Sequence, residues 1–562
     1  MNFKKKTALL LALVTATGMF SGCSKQTATK DGSVEVSFLN CWQGSEAPSG
    51  VDYASNPVAD VIAEKTGVRL KYLSCPTSEI ERLNLAFSTG DVPDIVSAPF
   101  WGAHDPHTQV IKKAAEQGLL LPLNDYIEQY APNLKDAWSP ELISRDYLEN
   151  DFEPPVFEGE HYFFTTSLPL SDLDRPTPNA YNAYIRKDIL EALGVDPASI
   201  SDSEKLYELM KQVKAGNFKD VNGNDVIVSG TWHSGWTFEP FYNTYVSQRD
   251  MFSSFKHENG EIKLYQNTER YAKQVLYLRK LRAEGLLDLE CTTQTNAQAV
   301  EKMSTGKVAI VGSPYTTVYD TLKNVLYKDH PEMEYVPLGP IMNMDGEPYQ
   351  NTGVARKKWG GGGVIFVSAT AKHPEKIMEF LNYLNSDEGV TLLRYGIEGT
   401  HYELVDGKPR LKEDILKSYE EDPLNLPRLG INLYTPLILK TGYATRFGED
   451  QYGKALNEYT EAQKHAIEVS PTTYLEDVYS LNFVATRYPK WDEILNVMNT
   501  GDGGLMNKAG VAETEEEALE YIRQSREFYA KNGMTEFEAW MTEHQNDTSE
   551  ELAALDAAAA QK

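Results

Sequence analysis

The sequence predicts an α/β fold, and three observations carry that prediction. Strand-like and helix-like segments alternate from Val34 onward, glycines close the helices, and a second alternation follows the middle of the chain. Val34 to Cys41 is β-rich. Asn56-Pro57 supplies an N-cap with proline in the first helical turn, where a missing N–H goes unnoticed, and Gly67 closes that helix. Val68 to Ser74 reads as the second strand. Ser78 and Glu81 have capping-box spacing, Ile80, Leu83 and Phe87 share a face, and Gly90 ends the helix before a third strand at Asp94 to Ala98. Strand, helix, strand, helix, strand at this spacing needs right-handed crossovers, hence parallel pairing in an open sheet.

Further along, Val156 to Thr166 reads as a β-hairpin turning at Glu158-Gly159, and Ala180 to Ile185 as a strand leading into a helix that ends at Gly194. Ser201 and Glu204 form a second capping-box pair. Thr268 opens a long helix with Tyr271, Val275, Leu278 and Leu281 on one face. Lys307 to Gly312 and Gly362 to Ser368 are candidates for buried strands. Thr514 and Glu517 begin a charged helical segment reaching Trp540, and residues 547–562 read as a frayed tail.

The N-terminus has the zones of an export signal: basic Lys4 to Lys6, apolar Ala8 to Phe20, then Ser21-Gly22-Cys23. A membrane-spanning helix takes roughly 20 apolar residues, and this run is shorter. Cleavage before a cysteine that follows small residues resembles the lipobox of bacterial lipoproteins, with Phe20 where that pattern prefers an aliphatic residue. The resemblance implies a signal peptide over 1–22, lipid on Cys23, and a flexible tether over 23–33 that holds the chain at the extracellular face of the membrane. The formal net charge of −28 excludes nucleic acid as a partner class, since neutralising phosphates needs clustered Lys and Arg. At 41% hydrophobic and 24% charged residues, the remainder is a globular chain with ample core. Cys41, Cys75 and Cys291 permit at most one internal disulfide. Cys41 ends one predicted strand and Cys75 follows another; if those strands are parallel neighbours the two cysteines either bridge or stay as buried thiols.

Four stretches, in order, resemble the extracellular solute-binding proteins that serve as capture subunits of ABC importers. They are Phe87-Ser88-Thr89-Gly90-Asp91-Val92-Pro93-Asp94-Ile95, Leu123-Asn124-Asp125-Tyr126-Ile127, Met303-Ser304-Thr305-Gly306-Lys307-Val308-Ala309-Ile310, and Pro374-Glu375-Lys376 through Asn385-Ser386-Asp387-Glu388-Gly389. Gly396 to Glu403 and the chain length resemble the larger Gram-positive lipoprotein branch of this maltodextrin-binding-like family. The resemblance implies a two-lobed periplasmic-binding-protein-like clamp with hinge crossovers, lobe 1 over 34–160 plus 365–440 and lobe 2 over 161–364 plus 441–546. It also implies a monomer that binds a carbohydrate, an oligosaccharide, without catalysis and delivers it to a membrane permease. An exported glycosidase or polysaccharide lyase, and a receptor for peptide or another small solute, are the alternatives. No Gly-x-Ser-x-Gly or His-Glu-x-x-His is present to favour catalysis.

A carbohydrate cleft needs aromatic platforms edged with carboxylates, amides and arginine. The chain has 8 Trp and 32 Tyr, and several follow predicted strands, where open α/β sheets bind ligands. Trp42 follows the first strand, Trp101 and Asp105 the third, Trp232 and Trp236 the segment Val226 to Ser229. The loop from Phe100 to Asp105 resembles a sugar-contact loop of the maltodextrin-binding proteins, as does Glu239 to Tyr242, and Tyr315 matches a stacking position. Arg356 and Trp359 lie in a glycine-rich stretch near the return crossing. Tyr402 and Glu403 are ligand candidates or members of a hairpin turning at Asp406-Gly407. Each aromatic has a plainer role as a large core or rim residue. Asp220, Asn222 and Asn224 around Gly223 resemble the first half of a calcium loop, a site some members of the branch carry. Val226, Ile227 and Val228 stand where a further carboxylate is wanted, so an Asx-rich turn is the competing reading. Otherwise no cofactor is expected. Gly360 to Gly363 is no phosphate loop, because the strand follows the glycines instead of preceding them.

Overall fold

In the computed structural model the described residues are 31–547 apart from 77, 103–104, 167, 169–180, 233–240, 242–252, 340, 342–350, 357, 359–360, 441–460, 471 and 476–480. The export signal, Cys23 and the tail from 548 lie outside them. The first lobe begins with β1 (Val34–Gln43), β2 (Val68–Cys75), β3 (Ile95–Phe100) and β4 (Phe163–Thr165). The second uses β5 (Tyr181–Arg186) and β6 (Ile227–Gly230). After a hairpin of β7 (Phe255–Glu258) and β8 (Glu261–Leu264), it continues with β9 (Val308–Pro314) and β10 (Tyr335–Pro337). Then β11 (Asn351–Arg356) leads to β12 (Gly362–Val367), which returns to the first sheet.

The first sheet has the order β2-β1-β3-β12-β4. Its first three strands pair in parallel, Val34 with Val68 and Phe38 with Ile95, as the alternation of strand and helix requires. The return strand enters antiparallel, Gly362 opposite Phe100 and Val367 opposite Ile95. Helices cover both faces of β3 and β12, so both strands are buried almost throughout and lack polar alternation. The helix caps fall where the sequence puts them. In α1 (Pro57–Thr66) Asn56 accepts from the Ala59 N–H and Gly67 closes the end at φ 70°; in α2 (Glu79–Thr89) Ser78 and Gly90 do the same work.

Several expectations are corrected. Val156 to Thr166 is not a hairpin. Pro155–Phe157 forms a 3-10 turn, because consecutive prolines fix φ and remove N–H donors, and Phe163–Thr165 pairs instead with the distant β12. The helix Ser203–Ala215 is capped by Asp202, one residue later than the Ser201 reading. The segment from Thr514 to Trp540 is two helices, Glu515–Lys531 and Met534–His544, broken where Gly533 adopts φ 89°. Cys41, near the end of β1, and Cys75, at the end of β2, lie on adjacent parallel strands, and of the two expected outcomes the thiols take the unbridged one, buried with sulfurs 3.8 Å apart. The contact with Cys75, together with burial, pushes the Cys41 thiol up and keeps it unreactive.

The second sheet, β10-β5-β9-β6, is covered on both faces. Ala183 and Ile185 of β5 point into one core and Tyr184 into the other, the period-two signature of a strand between two helical layers. A third module grows from this lobe. Its hairpin β7–β8 turns through Asn259 and Gly260, both at positive φ, and packs Phe255 on Phe537 and Trp491. Helix Glu269–Ala283 joins module to lobe: Ala272 and Val275 pack on Ala509 and Ile522, while Tyr277 and Leu281 enter the lobe core. Among the described residues no helix is long and apolar enough to cross a membrane.

Candidate functional site

Because β1 and β3 run in parallel side by side, residues at their carboxyl ends must meet at one edge of the sheet. Trp42 is the last residue but one of β1 and Trp101 follows β3, and their rings meet at 5.9 Å and 89°, edge to face. Trp42 Nε1 donates to Ser97 Oγ (3.4 Å), and Tyr147 Oη donates to the Trp101 carbonyl (3.0 Å). Trp101 remains 44% exposed, unusual for an indole. The glycines that open β12 make this possible. A Cβ on Gly361, whose φ is +105°, falls 2.7 Å from Tyr147 Oη and 3.6 Å from the Trp101 ring; one on Gly363 falls 3.1 Å from Trp42. The glycine run is thus the clearance for two indoles.

Asp105 shapes the same edge by capping α3 (Pro106–Glu116). Its Oδ1 accepts from the His107 and Thr108 amides at 2.9 and 3.3 Å and lies 3.0 Å from His107 Nδ1. Thr108 Oγ1 in turn accepts from the Trp101 and Gly102 amides, both at 3.2 Å, which fixes the backbone that carries the indole. Beneath α3, Lys112 Nζ reaches the buried Asp151 carboxylate at 3.0 Å. Burial pushes that carboxyl up and Lys112 opposes the shift.

The second lobe treats its aromatics differently. Trp232 is 3% exposed and Tyr315 2%, and both belong to one lobe core; Tyr315 also stacks on Tyr319 at 5.4 Å. Trp232 Nε1 donates to Asn296 Oδ1 at 2.7 Å. Asn296 lies at the seam between the lobes, its Cβ 3.7 Å from the point where Gly44 of the first lobe would carry a Cβ. Trp232 therefore stands one residue behind the seam. Trp236, Glu239, Tyr242 and Trp359 lie outside the described residues. Arg356 closes β11, opposite Leu475 of the short strand Thr472–Leu475.

Tyr402 and Glu403 do form the hairpin, with Val405 opposite Lys408 around Asp406-Gly407, both at positive φ. Tyr402 packs into the first lobe's core and Glu403 faces solvent. The loop of Asp220, Asn222 and Asn224 does not fit calcium. Asp220 Oδ1 accepts from the Asn222 and Asn224 amides at 2.9 and 2.8 Å, and Asn224 turns its Nδ2, not its oxygen, to Asp220 Oδ2 at 3.0 Å. Burial works against the Asp220 charge, but the Asn224 and Asn222 donors outweigh it and hold the carboxyl below its usual range. Among the described residues no group of three acidic, histidine or cysteine side chains is placed to hold a metal ion. The sequence reading missed Tyr147, Gly361, Gly363 and Asn296. The glycine run was visible, but its meaning depends on indoles brought beside it from two other segments.

The chain is 23% identical to the polygalacturonan/rhamnogalacturonan-binding protein YtcQ of Bacillus subtilis, over 89% of its own length and 91% of the relative's. It is 26% identical to the fructooligosaccharide ABC transporter substrate-binding protein FusA of Streptococcus pneumoniae, over 52% and 54% of the two chains. It is 23% identical to lipoprotein LipO of Bacillus subtilis, over 84% and 88%. In fold it resembles the alginate-binding protein AlgQ2 solved without calcium ion, with TM-score 0.61 at 19% identity over 91% and 97% of the chains. An EF-hand mutant of FusA bound to fructo-nystose gives TM-score 0.56 at 15% identity, over 91% and 100%. The model of the bacterial extracellular solute-binding proteins matches residues 47–391, from the loop behind Trp42 through the second sheet to the helices beyond β12, and the chain belongs to that family.

Proposed function

We propose that this chain captures an oligosaccharide outside the cell, closes its two lobes over it, and delivers it to an ABC permease without chemical turnover. The observation that carries this is the Trp42–Trp101 corner, an exposed indole crossed on a half-buried one at the carboxyl edge of the first sheet, near the Gly44–Asn296 seam. Crossed rings offer two faces to the weakly apolar sides of sugar rings, and a ligand held there is within reach of both lobes, which is what hinge closure needs. The relatives named for polygalacturonan and for fructooligosaccharide support a glycan as the solute. In this reading a monomeric receptor is tethered by lipid on Cys23, and the 220–225 turn is closed by its own amides. Calorimetry on the purified mature chain with a panel of neutral and acidic oligosaccharides tests the reading: saturable heat without product is expected, while turnover or binding of peptides alone refutes it. Cys23→Ser should move the protein from the membrane fraction to the medium.

A further inference from the structure

Two charged side chains of the first lobe have no part in the function proposed above. Lys112 Nζ, on α3, lies 3.0 Å from Asp151 Oδ1 and also donates to the Asn150 carbonyl at 2.5 Å. The Asp151 side chain is only 3% exposed, and Lys112 is its partner among the described residues. Such a pair adds little to stability. Withdrawing both charges from water costs about as much as their attraction returns, and apolar residues of similar size hold a fold as well or better. At Asp151 burial outweighs Lys112, since the carboxyl is raised from its ordinary value and not lowered. The pair calls for another reason, and its position supplies one.

Both partners sit one step behind Trp101. Thr108, whose hydroxyl holds the Trp101 and Gly102 amides, precedes Lys112 by one turn of α3, so the two side chains leave the helix on the same face. Tyr147, whose hydroxyl donates to the Trp101 carbonyl and stands over Gly102 and Gly361, runs directly into a π-helical turn, Leu148–Phe152. That turn closes with the Glu153 amide on the Leu148 carbonyl at 2.8 Å. Its extra width buries two consecutive residues: Phe152 packs on Phe100 at the end of β3, and Asp151 meets Lys112. The Trp101 backbone is thus gripped by two elements, at its amide by α3 and at its carbonyl through Tyr147. Lys112 and Asp151 tie those two elements together.

We infer that the Lys112–Asp151 pair is a positioning element for the Trp101 platform, keeping the exposed indole crossed on Trp42. The pair touches no solute itself. It rests on the receptor function only for its effect on affinity; the posture of the indole can be read without any sugar.

The test replaces both charges in the mature chain, Lys112→Met with Asp151→Leu, and uses two readouts. The first is the Trp101 share of the indole emission, taken as the difference between each protein and its Trp101→Ala counterpart. The double replacement should shift that share to longer wavelength and steepen its quenching by acrylamide, while the urea midpoint stays at or above that of wild type. The second is calorimetry with malto-, cello-, xylo- and galacturono-oligosaccharides. The tightest of them should bind about 10-fold more weakly, a part of what removing a central aromatic anchor costs. In the Trp101→Ala background the same double replacement should change affinity by less than about 2-fold, because both changes act through one ring. If the double variant does not fold, Asp151→Asn, which keeps the volume, is carried through both readouts instead. An unaltered Trp101 emission, or a loss of affinity just as large without Trp101, overturns the positioning role and leaves the receptor function standing. If no oligosaccharide binds wild type, the receptor function falls and the emission alone decides the positioning role.

Discussion

Trp42 and Trp101 in the first lobe, and Trp232 and Tyr315 in the second, occupy the same kind of place in the sequence, just past or at the end of a strand. In the fold they part ways. The first pair crosses edge to face at an open corner, with glycines cleared from beneath it. The second pair is packed into a core, Trp232 fastened by Asn296 and Tyr315 stacked on Tyr319. An aromatic after a strand is therefore a signal of the cleft edge, and the neighbours decide whether the ring serves a ligand or the lobe.

The contrast can be broken most directly from the buried side. Trp232→Ala or Tyr315→Ala should cost about 3–5 kcal/mol of stability, as large-to-small core changes do, read from urea unfolding of the mature chain. If stability holds while glycan affinity disappears, the two pairs are alike after all. On the exposed side the signs reverse. Trp101→Ala should weaken the tightest glycan about 30-fold, the effect of a central aromatic anchor, with stability changed by less than about 0.5 kcal/mol. Gly361→Ala probes what separates the pairs: its φ of +105° and the Tyr147 hydroxyl in the way predict a loss of about 1–2 kcal/mol, with affinity falling as Trp101 is displaced. Asn296→Ala should cost roughly 1 kcal/mol by freeing the Trp232 indole N–H.

Acidification should act on the first lobe. His401 is buried, its Nδ1 accepts from the Ile397 amide, and burial followed by Lys412 holds its pKa below 6.5. His161 is lowered too, by burial, with Glu153 opposing. A histidine lowered in the folded state binds fewer protons there than in the unfolded chain, so its stabilising effect is complete above about pH 6.5 and is lost as pH falls through and below it. The denaturation midpoint should therefore drop from pH 7 to pH 5, and His401→Asn should flatten that slope. The smallest effect is a null one: a chelator should leave the thermal midpoint within about 1 °C, since Asp220 is satisfied by Asn222 and Asn224.

What was legible in the sequence was local. Asn56-Pro57 with Gly67, and Ser78 with Gly90, announce their helices because caps and left-handed glycines act within a few residues. Phe163–Thr165 was misread because its partner is β12, a choice made by tertiary pairing. The module on β7–β8 went unread although Asn259-Gly260 is a strong hairpin signal. Tyr147 and the clearing role of Gly361 were invisible for another reason: they acquire meaning only when three segments far apart in the chain converge.

The antiparallel return of β12 also carries a kinetic consequence. It lies between β3 and β4 in the middle of the first sheet, so the N-terminal strands stay without their central neighbour until the chain has been made past Val367. The second sheet draws all its strands from one uninterrupted stretch, Tyr181 to Pro337, and has no such wait. High contact order makes the first lobe the slow one. In the role proposed above, outside the cell, this arrangement suits a chain exported before it folds, because the part that emerges first is the part that cannot finish early.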